Sequence, residues 1–383
     1  MNLLASSRRG AVAIVTIAVL GGCGSASLAG GAPQSSLSST AVVPEWQSKS
    51  LARPVCGKPR PEQVQCYALI LNTKIQHDVS GWAPADFQAR YNLPSQTQGA
   101  GQIVAIVDAY DNPNAASDLS AYRTEFGLGT ANFTKYNQQG QTSNYPSGSS
   151  SWGVEIDLDV QMASAVCPLC TIYLVEANSS NSSDLEAAES EAVKLGAHII
   201  SNSWGCGNSV ACLDTKYFNK PGVLYVAATG DSGLGQVTAP AAFDDVAAIG
   251  GTVLSKNGSE YSEAIWSGAG GGCATTIHKP KWQHDKVCAG RAVGDGSAVA
   301  WQVAEYDSYG YGGWFTVGGT SVASPLMSGI FGLAGNATQQ KGGRTFWKGK
   351  HHKHLYDVCG SSCLFSTYSY EGGWGSANGL GAL

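Results

Sequence analysis

The stretch Gly318-Gly319-Thr320-Ser321-Val322-Ala323-Ser324-Pro325 is followed by an apolar run over residues 326–334, and the rest of the chain is organised around it. Proline is tolerated in the first turn of a helix, where its missing N–H costs nothing, so Pro325 predicts a helix start. Ser321 would then lie at the positive end of the helix dipole, where an alkoxide or oxyanion is stabilised. This is how a nucleophile is presented, although the same residues could form an ordinary N-cap.

Strand and helix patterns alternate upstream of that stretch. Apolar runs predict strands at residues 102–108, 171–175, 197–203 and 223–228, and helical patterns lie at 81–88, 115–126 and 183–195. This order predicts an α/β fold, a doubly wound parallel sheet with helices on both faces and ligands beyond the carboxyl ends of the strands. The Gly- and Trp-rich residues 266–320 predict long loops near the site.

The composition excludes a basic nucleic-acid-binding protein. Charged residues make up 13% of the 383 residues, the net charge is -5, and the one clustered basic stretch, residues 348–354, is short and histidine-rich. No stripe of Lys and Arg is present, so no nucleic-acid partner is expected.

The first residues predict export. Arg8-Arg9 precede an apolar run over residues 11–20, which is too short to span a bilayer and is typical of a secretory signal. Leu20-Gly21-Gly22-Cys23 resembles a bacterial lipoprotein box, so we expect a signal peptide over residues 1–23 and lipidation of Cys23, a membrane anchor. A plain signal peptide cut further along is the alternative. Residues 24–79 predict a flexible tether and a short cysteine-stapled segment.

The cysteine count supports lipidation of Cys23. Eleven cysteines leave one unpaired in an oxidising compartment, whereas the ten that follow Cys23 fall into close couples. We predict five disulfides: Cys56/Cys66, Cys167/Cys170, Cys206/Cys212, Cys273/Cys288 and Cys359/Cys363. A redox role for the Cys167/Cys170 pair is disfavoured because the motif closes an apolar helix instead of opening one after a strand.

None of the seven histidines lies in a His-Gly-Thr motif, so a histidine base for Ser321 is not expected. The candidates for the base are therefore carboxylates. Glu155 and Asp159 lie four residues apart on a predicted helix without basic residues, so they share one face while Asp157 points roughly away. Their repulsion would make them share a proton and raise one pKa. Asp108 ends the first strand, but without a histidine partner its position alone means little.

A third element is the Gly230-Asp231-Ser232-Gly233 turn, directly after a strand. The same four residue types surround the nucleophile of trypsin-like proteases, but the histidine motif of that class is absent. We interpret Ser232 as a turn residue and Asp231 as the functional one, because a protonated Asp231 could donate a hydrogen bond to an oxyanion.

Together these pieces resemble the sedolisins, the serine-carboxyl peptidases of subtilisin-like fold. The matching motifs run in family order over about residues 80–383: Glu155-x-x-x-Asp159, Ser201-Asn202-Ser203-Trp204-Gly205, Gly230-Asp231-Ser232-Gly233, Ile249-Gly250-Gly251-Thr252, the segment 266–272 and Gly319-Thr320-Ser321-x-x-x-Pro325.

The resemblance implies a role for each matched residue. Ser321 is the nucleophile, Glu155 its base, Asp159 the residue that orients Glu155, and Asp231 the oxyanion stabiliser. It also implies that Ser203, Trp204 and Gly205, together with Gly270, Gly271 and Gly272, line the substrate cleft. The expected enzyme is an acid-acting, monomeric endopeptidase that needs no cofactor and acts on proteins or peptides.

Two departures from the family accompany this resemblance. Family members carry a large folded prodomain, whereas only about 55 residues separate Cys23 from the catalytic body, so the prodomain is reduced or absent. The calcium loop retains Asp357, but Gly375 stands where the family has a carboxylate, so a structural calcium site would be incomplete. A catalytically silent cell-surface binding protein of the same fold is the alternative function.

Overall fold

The computed structural model describes residues 52–71 and 79–383. The predicted signal peptide, the lipidation site Cys23 and most of the predicted tether lie outside the described residues.

Five α-helices occur in these residues: α1 (Pro84–Arg90), α2 (Ala115–Glu125), α3 (Ser150–Val166), α4 (Ser182–Lys194) and α5 (Thr320–Ala334). The strands described there are β1 (Arg53–Pro54), β2 (Gln65–Cys66), β3 (Leu69–Ile70), β4 (Ile103–Ala109), β5 (Asn132–Asn137), β6 (Thr171–Ala177), β7 (Ile199–Asn202), β8 (Trp204–Gly205), β9 (Leu224–Ala228), β10 (Val246–Asn257), β11 (Glu260–Ile265), β12 (Gly272–Ala274), β13 (Arg291–Val293), β14 (Gly296–Val299), β15 (Val303–Asp307), β16 (Gly313–Gly318), β17 (Leu355–Tyr356) and β18 (Ser376–Ala377).

The main sheet has the strand order β17-β18-β14-β10-β9-β7-β4-β6-β5. From β18 to β5 every neighbouring pair is parallel, whereas β17 and the hairpin strand β11 are antiparallel to their neighbours. The predicted doubly wound parallel sheet is therefore confirmed.

Alternate residues of the central strands point to opposite faces of this sheet, as the pleat requires. In β4, Val104 and Ile106 belong to the same buried core as residues of α3 and α5, whereas Ala105 and Val107 belong to a second core with residues of α4. Helices therefore cover both faces, and the strands are apolar on both sides, which is why they appear in the sequence as continuous apolar runs.

The helix that carries Ser321 begins earlier than predicted. It starts at Thr320 after an N-cap at Gly319 with φ 108°, and Pro325 is its sixth residue, not its start. Glycine adopts this positive φ without strain, and it provides the sharp turn from β16 into α5. The helix ends at Gly335, which is left-handed with φ 68°.

The predicted cysteine couples all form disulfides in the structure: Cys56–Cys66, Cys167–Cys170, Cys206–Cys212, Cys273–Cys288 and Cys359–Cys363. In the described part of the chain, none of the helices has the length and apolar composition needed to cross a membrane.

Candidate active site

Ser321 is fully buried in the first turn of α5, at the carboxyl ends of the central strands. Its Oγ donates to the carbonyl oxygen of Ser203 at 3.0 Å, and Ser203 Oγ donates back to the Ser321 carbonyl oxygen at 3.3 Å. That carbonyl is available because Pro325, four residues later, has no N–H to donate to it. The proline therefore lets the Ser203 hydroxyl bind the backbone of the serine turn.

Glu155 and Asp159 are fully buried on α3, one helical turn apart. Burial raises the pKa of Glu155 well above its ordinary value, and the Asp159 charge raises it further, while the Ser321 side chain and the Ala68 N–H lower it. The Ala68 N–H donates to Oε2 of Glu155 at 2.8 Å. Both carboxyl groups of this helix face are therefore buried and not solvated, and Glu155 lies next to the Ser321 side chain.

Asp108, which was not predicted to have a role, interacts with the same two carboxyl groups. It is fully buried at the end of β4. Burial raises the pKa of Asp159, and the Asp108 charge is the next cause, whereas the Ser203 and Glu155 side chains lower it. Three carboxyl groups thus interact here, with Asp108 next to the pair that was predicted.

Asp231 lies on the other side of Ser321, in the loop after β9. Its Oδ1 accepts hydrogen bonds from the Thr320 N–H at 2.8 Å and from Thr320 Oγ1 at 2.9 Å. Thr320 Oγ1 in turn accepts from the Gly230 N–H at 3.0 Å, which ties this loop to the first turn of α5. Because Oδ1 is an acceptor twice, a proton on this carboxyl group belongs on Oδ2. The neighbouring Ser232 is exposed, as a turn residue should be.

The two segments predicted to line the cleft, residues 203–205 and 270–272, lie in different surroundings. Trp204 and Gly205 form β8, which pairs with the chain's own β2, and Trp204 Nε1 donates to the Val107 carbonyl at 2.7 Å. Gly270 packs against the Asp231 loop, since its N–H donates to the Gly230 carbonyl at 2.6 Å and a Cβ on it would lie 2.2 Å from the Thr229 carbonyl. A Cβ on Gly271 would instead lie 2.2 Å from the Tyr370 carbonyl.

Asp157 belongs to a second buried carboxyl cluster. Oxygen atoms of Asp118, Asp157 and Asp307 lie within 4.8 Å of one another. Burial, followed by the Asp157 and Asp307 charges, raises the pKa of the adjacent Glu305 well above its ordinary value. Among the described residues neither carboxyl oxygen of Glu305 has a hydrogen-bond partner. Burial thus favours the neutral form of Asp157 and of Glu305, whose pKa values are both raised well above the ordinary value.

The residues near Asp357 fit a hydrogen-bonded turn better than a calcium ion. Asp357 Oδ1 accepts from the N–H groups of Cys359 and Gly360 at 3.0 and 3.2 Å. Both neighbouring cysteines are in a disulfide and are not thiolate ligands. Calcium needs several oxygen ligands, and this turn offers one carboxylate that backbone donors already engage.

The comparisons with known proteins agree with this arrangement. The model of the subtilase family matches residues 129–356. The chain belongs to the subtilase family. Within that family, the predicted resemblance to the sedolisins is confirmed by the relatives that it matches.

Kumamolisin from Bacillus sp. (strain MN-32) is 27% identical over 290 residues, covering 66% of this chain and 51% of kumamolisin. Sedolisin from Pseudomonas sp. (strain 101) is 24% identical over 352 residues, covering 79% of this chain and 60% of sedolisin. This subtilase therefore spans about half to three fifths of the length of these curated relatives.

Solved structures show the shared fold. A complex of Pseudomonas sedolisin, described as a serine-carboxyl proteinase with two molecules of pseudo-iodotyrostatin, matches with a TM-score of 0.67 at 22% identity, over 79% of this chain and 96% of that one. Sphericase matches with a TM-score of 0.53 at 18% identity, over 80% of this chain and 99% of sphericase.

We predict that the protein is more stable in acid than at neutral pH. The buried carboxyl groups have pKa values above those of the unfolded chain, so the folded state binds more protons, and the free energy of unfolding falls as the pH rises above about 4. Glu305→Gln should reduce this fall because the amide does not titrate.

Urea unfolding at pH 4 and pH 7, with Ser321→Ala in every protein to prevent self-digestion, measures the difference. Glu125→Gln, at an exposed helical position, serves as the control and should leave the fall unchanged. A free energy of unfolding that rises from pH 4 to pH 7 would contradict the prediction.

Proposed function

We propose that this chain is an acid-acting serine-carboxyl endopeptidase. The observation that carries the proposal is the position of Ser321 between the Glu155 carboxyl group and the loop of Asp231, at the carboxyl ends of a parallel sheet. Open parallel sheets bind their ligands at this edge. Membership of the subtilase family and the sedolisin relatives support the same reaction.

In the proposed first step, Ser321 Oγ attacks the carbonyl carbon of a peptide while Glu155 takes the hydroxyl proton. Burial, and then the Asp159 charge, raise the pKa of Glu155, as burial and the Asp108 charge raise that of Asp159, so an ionised Glu155 is basic enough to accept that proton. Glu155 then returns the proton to the leaving nitrogen, which breaks the C–N bond. Water hydrolyses the resulting ester in the reverse sequence of proton transfers.

Asp231 serves as the oxyanion donor in this proposal. Thr320 fixes Oδ1 as an acceptor, which leaves a proton on Oδ2 to stabilise the tetrahedral intermediate. The role needs a neutral carboxyl group, so the reaction is confined to acid. The substrates are proteins or peptides, the chemistry needs no cofactor, and the proposed active form is a monomer.

Ser321→Ala should lower kcat on denatured casein in acid by about 10⁴-fold or more, because it removes the nucleophile from a unit whose members act together. Ser232→Ala is the matched control: it changes the exposed serine of the Gly-Asp-Ser-Gly turn and should retain wild-type kcat. Circular dichroism confirms that both variants are folded. Loss of activity in Ser232→Ala, with Ser321→Ala active, would mean that the wrong serine has been assigned.

The profile of kcat/KM against pH should be bell-shaped, with its maximum at acidic pH. On the acidic limb the Glu155/Asp159 pair loses a proton, and on the alkaline limb Asp231 loses its own. Because burial raises the pKa of Glu155, the window lies above the range near pH 4 in which unperturbed carboxyl groups titrate. Asp231→Asn should extend the alkaline side, because an amide donates at any pH. The exposed Asp214→Asn is the charge control and should leave the bell unchanged. In the wild type, a plateau of kcat/KM at pH 7 to 9 on an uncharged peptide would exclude Asp231 as the neutral donor whose ionisation ends the bell.

We further propose that the chain is exported and anchored by a lipid on Cys23. The five disulfides support export, because such bonds persist in oxidising compartments. In a detergent phase separation the mature protein should enter the detergent phase, and Cys23→Ala should enter the aqueous phase. A mature wild type found in the aqueous phase would favour a plain signal peptide.

A further inference from the structure

Two grooves open side by side on one face of the protein, since His284 and Trp347 line both of them. Their volumes are about 470 and about 440 Å³. Several cations line or adjoin these grooves and form no ion pair with any described carboxylate: Lys281, Lys286, Arg344, Lys348 and Lys350. We call the surface formed by these cations and the two grooves the basic face.

The positive charges of the basic face are close enough to affect one another. Burial lowers the pKa of Lys348, and the Arg344 and Lys350 charges lower it further. The carboxylate of Asp285, which borders the larger groove, is buried and pairs with Lys279 at 3.0 Å, so it does not neutralise them. The whole chain has a net charge of -5, so this face differs in sign from the rest of the protein. An uncompensated cluster of cations attracts an anionic partner.

Apolar and aromatic side chains are exposed among these cations. Val287 is 50% exposed and Leu364 is 47% exposed. Val287 lines the larger groove together with Trp347, Trp374 and Phe365, the residue after Leu364. Tryptophan and aliphatic side chains beside Lys and Arg are typical of proteins that lie on an anionic membrane. A soluble polyanion would contact the cations but would not bury the two exposed aliphatic side chains.

The basic face lies at the edge of the main sheet opposite to Ser321. A Cβ on Gly342 would lie 2.9 Å from the nitrogen of Val246, the first residue of β10. Trp347 Nε1 donates at 2.8 Å to Asp295, which directly precedes β14. This segment therefore packs at the amino ends of two parallel strands, whereas Ser321 lies at the carboxyl ends of the central strands.

We propose that the basic face binds the surface of an anionic lipid bilayer, with lipid phosphates at its cations and with Val287 and Leu364 in the membrane interface. The inference goes beyond the proposed peptidase function and does not depend on the acyl chain proposed on Cys23. Because the basic face and Ser321 lie at opposite edges of the sheet, a bilayer bound at this face leaves the cleft open to protein substrates from solution.

Sedimentation with lipid vesicles tests the proposal on the full chain that carries Cys23→Ala and Ser321→Ala, which has neither the acyl chain nor the nucleophile. This protein should sediment with vesicles made of equal amounts of phosphatidylglycerol and phosphatidylcholine, and it should stay in solution with phosphatidylcholine alone. Salt should weaken the binding, because it screens exposed charges. Absence of binding to the anionic vesicles, or equal binding to both kinds, would overturn the proposal.

Charge variants in the same background locate the binding surface. Each Lys or Arg near an anionic membrane contributes about 5-fold to the partition constant, so Arg344→Gln with Lys350→Gln should weaken binding about 25-fold. Lys58→Gln with Arg60→Gln is the matched control. Both control residues are exposed and line a different groove with Tyr110, which follows the carboxyl end of β4. Equal weakening by the two pairs would mean that net charge, and not the basic face, governs binding.

Leu364→Ser distinguishes a bilayer from a soluble polyanion. Loss of apolar surface that enters the membrane interface should weaken vesicle binding about 5- to 10-fold and leave binding to dextran sulfate unchanged. Leu234→Ser is the control, since Leu234 is 64% exposed in the loop after β9, and it should bind vesicles as before. Circular dichroism checks the fold of each variant. Vesicle binding that is unaffected by Leu364→Ser would assign the basic face to a soluble polyanion and overturn the bilayer proposal.

Hydrogen exchange measures the orientation of the bound protein. Anionic vesicles should slow amide exchange in residues 281–287 and 344–350 and leave exchange in residues 230–236, in the loop of Asp231, unchanged. Protection of residues 230–236 without protection of the basic face would place the cleft against the bilayer and overturn the proposed orientation.

Discussion

Burial of carboxyl groups without cationic partners is the constraint on which the site depends. Glu155, Asp157 and Asp159 all lie in the core on α3, and no described Lys, Arg or His forms an ion pair with them. A buried isolated carboxylate is costly, so such groups take up protons or share them. Burial therefore makes the folded core more stable in acid and also raises the pKa of Glu155, the proposed base. A histidine base, whose charged form burial disfavours, is not needed in such a site.

The sequence was sufficient for the sheet and for the residues around Ser321 because both depend on local patterns. Strands buried on both faces are continuous apolar runs, and for that reason β4 and β9 were predicted to within one residue at each end. The spacing of Glu155 and Asp159 was enough to put both on one helix face. The start of α5 was wrong because proline was taken as an N-terminal signal, whereas here the turn is made by Gly319 and the proline removes one internal hydrogen bond.

The features that could not be predicted are long-range. Asp108 approaches Asp159 only because β4 and α3 pack together, and its strand position was the one signal for it. Residues 65–70 have no pattern that shows which strands they pair with, since β2 and β3 have two residues each and their partners β8 and β16 are more than a hundred positions away. Gly270 to Gly272 were assigned to the cleft by resemblance, and for Gly270 the close approach to the Thr229 carbonyl also requires the absence of a side chain.

The serine turn shows why its residue types occur together. Gly319 has a positive φ and no Cβ, so the Tyr67 carbonyl can approach its backbone. Thr320 uses its N–H and hydroxyl to hold Oδ1 of Asp231. Pro325 frees the carbonyl of Ser321, and the Ser203 hydroxyl binds it. Ser203 then contributes to both sides of the reaction: its carbonyl accepts from Ser321 and from the Tyr67 N–H, and its side chain lowers the pKa of Asp159. Ser203 thus contacts the backbone of Tyr67, the proposed nucleophile and the proposed acid pair, so a peptide that pairs with Ser203 in the same way would be aligned with both.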